Sequence, residues 1–383
     1  AHLSGQALLL RGVRFLLKTW IPGEAPEKEE LKQQLDVAKK KLYDLQMKIK
    51  EHKIPVLVLF EGWSAAGKGS MIGKVIKNID PRFFKVATMS VPSEEELRRP
   101  FLYRYMCQIP EQGKFTFLDA GWVGQTTQEV LNKKLEGADY EKRIESIRRF
   151  ERQLTDNGYL VLKFFMHIDK EEQKERMDRL CASKDTRWRV SDFDKWQQEH
   201  YHKCEKVYDR YLKDTNASTS PWYIIDAKDK KWAELQVMDT LVSSIEVALQ
   251  NQSHSVPILQ NVFPLVKMPK LKDIELTGKT IDDEEYEKEL KKLQDKLSEL
   301  HNRLYRARIP VIITYEGWDA AGKGGNIKRI TGALDPRGYE VHPIASPEPH
   351  EKARHYLWRF WTRLPKNGHI AIFDRTWYGR VMV

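Results

Sequence analysis

The run Gly317-Trp318-Asp319-Ala320-Ala321-Gly322-Lys323 carries the spacing of a phosphate-binding loop, glycine and glycine-lysine separated by four residues. The chemistry follows from the residue types. Glycines let the backbone curl its N–H groups inward around phosphate oxygens, the following helix adds partial positive charge, and the lysine adds a full one. In the usual loop a Ser or Thr after the lysine ligates magnesium, but here Gly324 and Gly325 follow. Other carboxylates must then hold the metal, Mg2+ or Mn2+. Asp319 inside the loop and Asp374 at the end of a later apolar run are the candidates. The segment Phe373 to Arg380 adds Arg375 and Arg380 beside Asp374, beyond the carboxyl end of an expected strand, where open α/β sheets bind ligands. Arginines there can neutralise charge developing on a transferred phosphoryl group. The combination points to phosphoryl transfer.

The elements that must position these residues occur twice. EGWDAAGKG from Glu316 repeats EGWSAAGKG from Glu61, 255 positions earlier, and the same offset relates Pro310 to Pro55, Asp335 to Asp80, Leu357 to Leu102 and Asp374 to Asp119. The apolar, β-branched runs 55–60 and 310–315 read as buried parallel strands, each feeding a glycine-rich turn and a helix, 68–79 and 323–333. Runs 115–119 and 370–374 read as second core strands, and 160–168 and 222–226 as further strands of the first copy. Charged stretches with helical apolar spacing, 31–51 and 286–308, precede each copy. The expected fold is therefore α/β, a P-loop kinase-like doubly wound parallel sheet flanked by helices and duplicated in tandem. Pro257, Pro264 and Pro269 mark a linker over 250–276, which divides the chain into residues 1–260 and 261–383. By the offset, the second copy is expected to stop short of its later elements.

The copies differ where chemistry would happen. Against Asp319, Arg375, Tyr378 and Arg380 the first copy has Ser64, Ala120, Val123 and Gln125, while Lys68 and Asp119 persist. The first copy is expected to be catalytically silent, serving as a scaffold or a phosphate grip. Arg354, Arg359 and Arg363 on a helix expected over 351–364 could bind acceptor or chain phosphates, and Arg359 is favoured because Arg104 matches it.

A net charge of +10 favours an anionic partner, whether nucleotide, polyphosphate, nucleic acid or anionic lipid. Apolar runs such as 56–60 are far shorter than the roughly 20 residues a membrane helix needs. Arg11 and Arg14 interrupt the apolar opening, so no export signal is read, and Cys107, Cys181 and Cys204 form no CxxC pair, which suits the cytoplasm. His200, His202 and Cys204 lie close in sequence, but their spacing on one helix does not converge on a zinc ion. Trp188, Trp196, Trp358, Trp361 and Trp377 read as packing residues more than base-stacking ones.

EGWDAAGKGGNIKRI (316–330) with IFDRTWYGRV (370–381) closely resembles the Walker A and Walker B segments of the polyphosphate kinase 2 family, and the layout over 31–383 is similar to its tandem, class II branch. That resemblance implies transfer of the terminal phosphoryl group of inorganic polyphosphate to AMP, giving ADP, with no specific nucleic acid and no membrane as partner; a homo-oligomer is compatible with it. It also implies that Asp319, Lys323, Asp374, Arg375 and Arg380 act in the site, with magnesium bridging carboxylates and phosphates, and Gly317, Gly322, Gly324, Gly325 and Arg359 are expected to bind phosphate. A helical lid should follow Walker B. The first copy has a lid-like basic stretch over 175–196, and the second copy as given has none. Two other readings share parts of this pattern, an ATP-dependent nucleoside monophosphate kinase and a non-catalytic polyanion or nucleic-acid binding protein. Gly324 argues against the first and the paired acids against the second.

Overall fold

The computed structural model describes residues 17–89, 91–250, 266–278 and 280–382. Most of the opening segment and most of the expected linker therefore lie outside the described residues. In chain order the regular elements are α1 (Lys28–Glu51), β1 (Val56–Gly62), α2 (Lys68–Ile76), β2 (Phe84–Thr88), α3 (Glu94–Leu97), α4 (Tyr103–Met106), β3 (Phe115–Asp119), α5 (Trp122–Leu131), α6 (Gly137–Asp156) and β4 (Leu160–His167). These are followed by α7 (Lys170–Ala182), α8 (Asp192–Glu199), α9 (Tyr201–Thr215), β5 (Trp222–Asp226), α10 (Lys230–Gln250), α11 (Asp283–Ala307) and β6 (Val311–Tyr315). The last are α12 (Lys323–Thr331), β7 (Tyr339–Pro343), α13 (Pro349–Lys352), α14 (Trp358–Trp361), β8 (Ile370–Asp374) and α15 (Trp377–Met382).

The chain divides into two compact units. The first takes the described residues up to Pro92, those from Arg104 through α10, and Pro349–His355; the second takes Ser93–Tyr103, the described residues from 266 to Glu348, and those from Tyr356 onward. Both sheets are entirely parallel, as alternating strands and helices require. The first unit's order is β2-β3-β1-β4-β5. β1 lies central, and its run Val56–Glu61 is buried on both faces, which is why it reads as a continuous apolar stretch. The second unit's order is β6-β8-β7. There β8 is central, pairing Tyr315 with Asp374 on one side and Pro343 with Asp374 on the other. Among the described residues β6 pairs with β8, as β1 pairs with β3.

In each unit a strand's carboxyl end leads into the glycine-rich loop, β1 before α2 and β6 before α12. In the second unit, Ile327, Leu334, Ile370 and Ile372 form one core patch with Leu297 and Leu304 of α11 packed against it, and Phe360, Ala371 and Phe373 form another. The two faces of β8 are thus both covered, and Asp374 emerges at its end.

The helix expected over 351–364 is instead two single turns, α13 and α14. Tertiary contacts win over helical propensity here. His355 is buried, its N–H donates to the Tyr159 hydroxyl (2.8 Å), and its Nε2 contacts the Gln153 carbonyl (3.2 Å). Arg354, Arg359 and Arg363 therefore do not share one helix face. Likewise His200 falls between α8 and α9 rather than on one helix with Cys204. Trp188 is exposed and Arg189 lies over its ring, so the packing expectation fails for that tryptophan.

Candidate phosphoryl-transfer site

In both units a strand ends, the backbone turns through the glycine-rich loop, and a helix begins on the lysine. Gly322 enters α12 with φ 86, and Gly67 enters α2 with φ 92, left-handed conformations that glycine adopts without steric cost. Ala320 and Ala65 repeat a second left-handed position inside each loop. The Lys323 ammonium donates to the carbonyls of Gly317 (2.9 Å) and Trp318 (2.8 Å), and Lys68 makes the equivalent bonds to Trp63 and Gly62. Both lysines are thus held over their own loops.

A cavity of about 470 Å³ opens on the second loop, lined by Gly322, Lys323, Gly324, Ala345, Asp374 and Arg375 among others. Lysine, arginine and a strand-end carboxylate thus share one wall. Arg375 has φ 68, an unfavourable conformation for a side-chain-bearing residue, and its counterpart Ala120 has φ 62. The Arg375 N–H donates to the Tyr315 carbonyl (3.0 Å), as Ala120 does to Phe60 (3.2 Å). The bend therefore belongs to the turn itself and turns whatever side chain follows the aspartate toward the loop. The Arg375 guanidinium lies 3.4 Å from the Asp319 carboxylate, an exposed pair of little intrinsic strength that a phosphate could readily exchange.

The other expected residues are less tightly gathered. Asp319 is highly exposed at the loop tip and lies outside the cavity wall, as do Gly317, Gly325 and Arg380, the last exposed on α15. Arg359 is half-buried and donates to the carbonyl of Ala345 (3.0 Å), a wall residue, so it stands just behind the cavity.

Among the described residues no three His, Cys, Asp or Glu side chains gather as a metal site. A magnesium ion does not require them, because one or two carboxylates, substrate phosphates and water complete its octahedral shell. Asp374 in the wall and Asp319 at the rim supply hard oxygen donors of that kind, and the donor set fits Mg2+ or Mn2+.

Glu316 joins the site although no motif spacing marks it. Its Oε2 accepts hydrogen bonds from the Thr376 N–H (3.0 Å), the Thr376 hydroxyl (2.7 Å) and the Gly379 N–H (3.2 Å), clamping the turn that follows Asp374 and Arg375. A Cβ on Gly379 would come within 2.9 Å of that carboxylate, so a side chain there would push it out of the clamp. Glu61 does the same in the first unit, accepting from Gly121 (2.6 Å) and Val123 (3.1 Å). One signal was available: the glutamate persists in both repeats while the neighbouring loop position changes from Ser64 to Asp319.

Burial raises the Glu61 carboxyl to about 7, against opposing hydrogen bonds from Gly121 and attraction to Lys68. Because the folded-state value lies above the unfolded one, this group's contribution to stability is full below about pH 4.5 and is lost as pH rises through 7. Glu61→Gln keeps an acceptor and abolishes the titration. Across that interval the variant should gain about 3 kcal/mol relative to the parent, an order-of-magnitude conversion of the shift. Urea unfolding of both proteins at pH 5 and pH 8 measures it, and a difference that does not change with pH contradicts the assignment.

The first loop is closed by its own unit. The Ser64 hydroxyl bonds Asp194 of α8, the Ser64 N–H donates to Gln197 (2.9 Å), and Gln173 of α7 donates to the Ser64 carbonyl (3.3 Å). Arg176, from the lid-like stretch, spends its guanidinium on the carbonyls of Ala66 (3.3 Å) and Ala227 (2.7 Å). An aspartate in place of Ser64 would set two carboxylates against each other. The serine thus suits a loop that α8 closes.

The family model described as Polyphosphate kinase 2 matches residues 25–253 and again 280–383, which together make up most of the chain. The chain belongs to the polyphosphate kinase 2 family. The polyphosphate kinase 2 proteins it is similar to include a polyphosphate:AMP phosphotransferase from Pseudomonas aeruginosa, 32% identical over 368 residues, covering 94% of this chain and 73% of that protein. A protein of the same name from Pseudomonas syringae pv. tomato is 33% identical over 367 residues, with the same coverage, 94% and 73%. Among solved structures, a polyphosphate kinase 2 from Pseudomonas aeruginosa superposes with a TM-score of 0.76 at 30% identity, covering 94% of this chain and 71% of that one. Polyphosphate Kinase 2 from Arthrobacter aurescens shares the fold, with a TM-score of 0.59 at 22% identity over 70% of this chain and 93% of that one. No helix among the described residues is long and apolar enough to cross a membrane.

Proposed function

We infer that this polyphosphate kinase 2 protein transfers the terminal phosphoryl group of inorganic polyphosphate to AMP, and that the second repeat performs the transfer. The observation that carries the reading is the shared cavity wall of Lys323, Asp374 and Arg375, which the first repeat reproduces only as Lys68, Asp119 and Ala120. The names of the relatives supply the donor and acceptor.

The step is an in-line displacement. An oxygen of the AMP phosphate attacks the terminal phosphorus of the chain, a new P–O bond forms, the bridging P–O bond breaks, and the shortened chain leaves with the negative charge on its new terminal oxygen. Lys323 and the loop N–H groups hold phosphate oxygens, Arg375 and Arg380 neutralise charge on the transferred group, and Arg359 steadies chain phosphates. Asp319, paired with Arg375 before substrate arrives, orients the acceptor. Asp374 and Asp319 would hold a divalent cation, which would supply positive charge to offset that of the phosphates. AMP phosphate is largely ionised near neutral pH, so orientation contributes more than proton removal.

The test is ADP formation from AMP with polyphosphate as sole phosphoryl donor. ADP should accumulate with ATP rigorously excluded. A strict requirement for ATP would favour a nucleoside monophosphate kinase, and salt-sensitive nucleic-acid binding without transfer would favour a polyanion binder.

A further inference from the structure

The two units do not follow the two repeats. Ser93–Tyr103, from the first repeat, belongs to the second unit, and Pro349–His355, from the second repeat, belongs to the first. These segments are nearly equivalent under the 255-residue offset. Equivalent backbone bonds fix them. In the first unit the Gln112 N–H donates to the Ala353 carbonyl (2.7 Å); in the second the Asn367 N–H donates to the Arg98 carbonyl (2.6 Å), and each member of one pair maps onto the other by the same offset.

Within the second unit the contacts converge on a single stretch. The Tyr103 hydroxyl donates to the Thr362 carbonyl (3.3 Å), the Arg99 guanidinium to the Leu364 carbonyl, and Arg98 to the Asn367 carbonyl (3.2 Å). Lys366 pairs with Glu95 (2.8 Å), and the Arg99 guanidinium stacks over the Tyr103 ring at 4.5 Å. The α3 turn that presents these groups is closed by a capping box of Ser93 and Glu96. The stretch they hold, 362–369, joins α14, which carries Arg359, to β8, which ends on Asp374.

We propose that the first repeat is retained because its Ser93–Tyr103 segment positions the second repeat's site, with Arg99 and Tyr103 as positioning residues that act through Arg359. Carbonyls in a half-buried connection need donors. Here the donors come from a segment about 260 residues away in sequence, in the repeat that has lost the catalytic side chains. The degenerate repeat therefore cannot be replaced by any fold lacking this segment. The proposal rests on the reading that the second repeat performs the transfer.

The test uses the full-length protein and steady-state kinetics with polyphosphate varied at saturating AMP. Arg99→Ala should raise KM for polyphosphate about tenfold with kcat little changed, the effect of losing one charged hydrogen bond behind a residue that binds chain phosphate. Arg99→Lys should recover most of the loss, and Tyr103→Phe should show a smaller shift in the same parameter. In an Arg359→Ala background, Arg99→Ala should add nothing further, because it acts through that residue. Arg82→Ala, at an exposed first-repeat arginine paired with Asp80 in its own turn, is the control and should match the parent. Unchanged KM in Arg99→Ala, or full additivity with Arg359→Ala, overturns the proposal. If Arg99→Ala does not fold, Tyr103→Phe decides it, an unchanged KM again counting against. Absence of polyphosphate-dependent transfer in the parent protein would instead sink the functional reading itself.

Discussion

Asp374→Asn should lower kcat/KM for AMP phosphorylation about 10³-fold, some 4 kcal/mol of lost transition-state stabilisation, while leaving the fold intact. The substitution is nearly isosteric, and the residue's backbone role is untouched: its carbonyl still accepts from the Ile344 N–H (2.9 Å) and its strand register with Tyr315 and Pro343 is unaffected. What disappears is one negative charge on a wall shared with Lys323 and Arg375. That charge would hold a divalent cation against the phosphates, so the variant should need higher Mg2+ or Mn2+ to recover part of its rate. Kinetics over a metal titration, with thermal unfolding as the check on folding, measures both effects. Parental activity at ordinary metal concentration would remove Asp374 from the site.

The parts of this site that could be read from sequence are the local ones. A glycine-rich loop, its lysine and a strand ending in aspartate are each set by residues a few positions apart, so spacing alone located Lys323 and Asp374 at one end of one sheet. Repetition at a fixed offset then showed which side chains had changed while the backbone stayed the same. The paired left-handed residues Arg375 and Ala120 show that the turn geometry survived the loss of the arginine.

What escaped was non-local or masked by weak patterning. β2 and β7 carry mixed exposure, and their sequences FKVAT and YEVHP lack the clean apolar run that marked β1. The break between α13 and α14 follows from His355 finding Tyr159 and Gln153, partners some 200 residues distant. The Glu316 clamp spans about 60 residues to Thr376 and Gly379, so periodicity could not reveal it. The exchange of Ser93–Tyr103 was invisible for the same reason: the repeat offset says which residues are equivalent, not which unit they join. The burial of Trp63, stacked on Tyr201 at 3.9 Å, is non-local in the same way.

The two repeats therefore differ in their work. Both loops keep their lysine; the second shares a cavity wall with Asp374 and Arg375, where the first repeat has Asp119 and Ala120. Lysine at this position supplies the one full positive charge of the loop, and its removal should cost about 10²- to 10³-fold in rate where phosphate is transferred and almost nothing where it is not. The deciding measurement is the rate of ADP formation from AMP and polyphosphate by full-length Lys68→Ala and Lys323→Ala, assayed side by side with the parent. The account predicts that Lys323→Ala loses nearly all activity while Lys68→Ala stays within a few-fold of the parent. Activity lost with Lys68→Ala and kept with Lys323→Ala would contradict it.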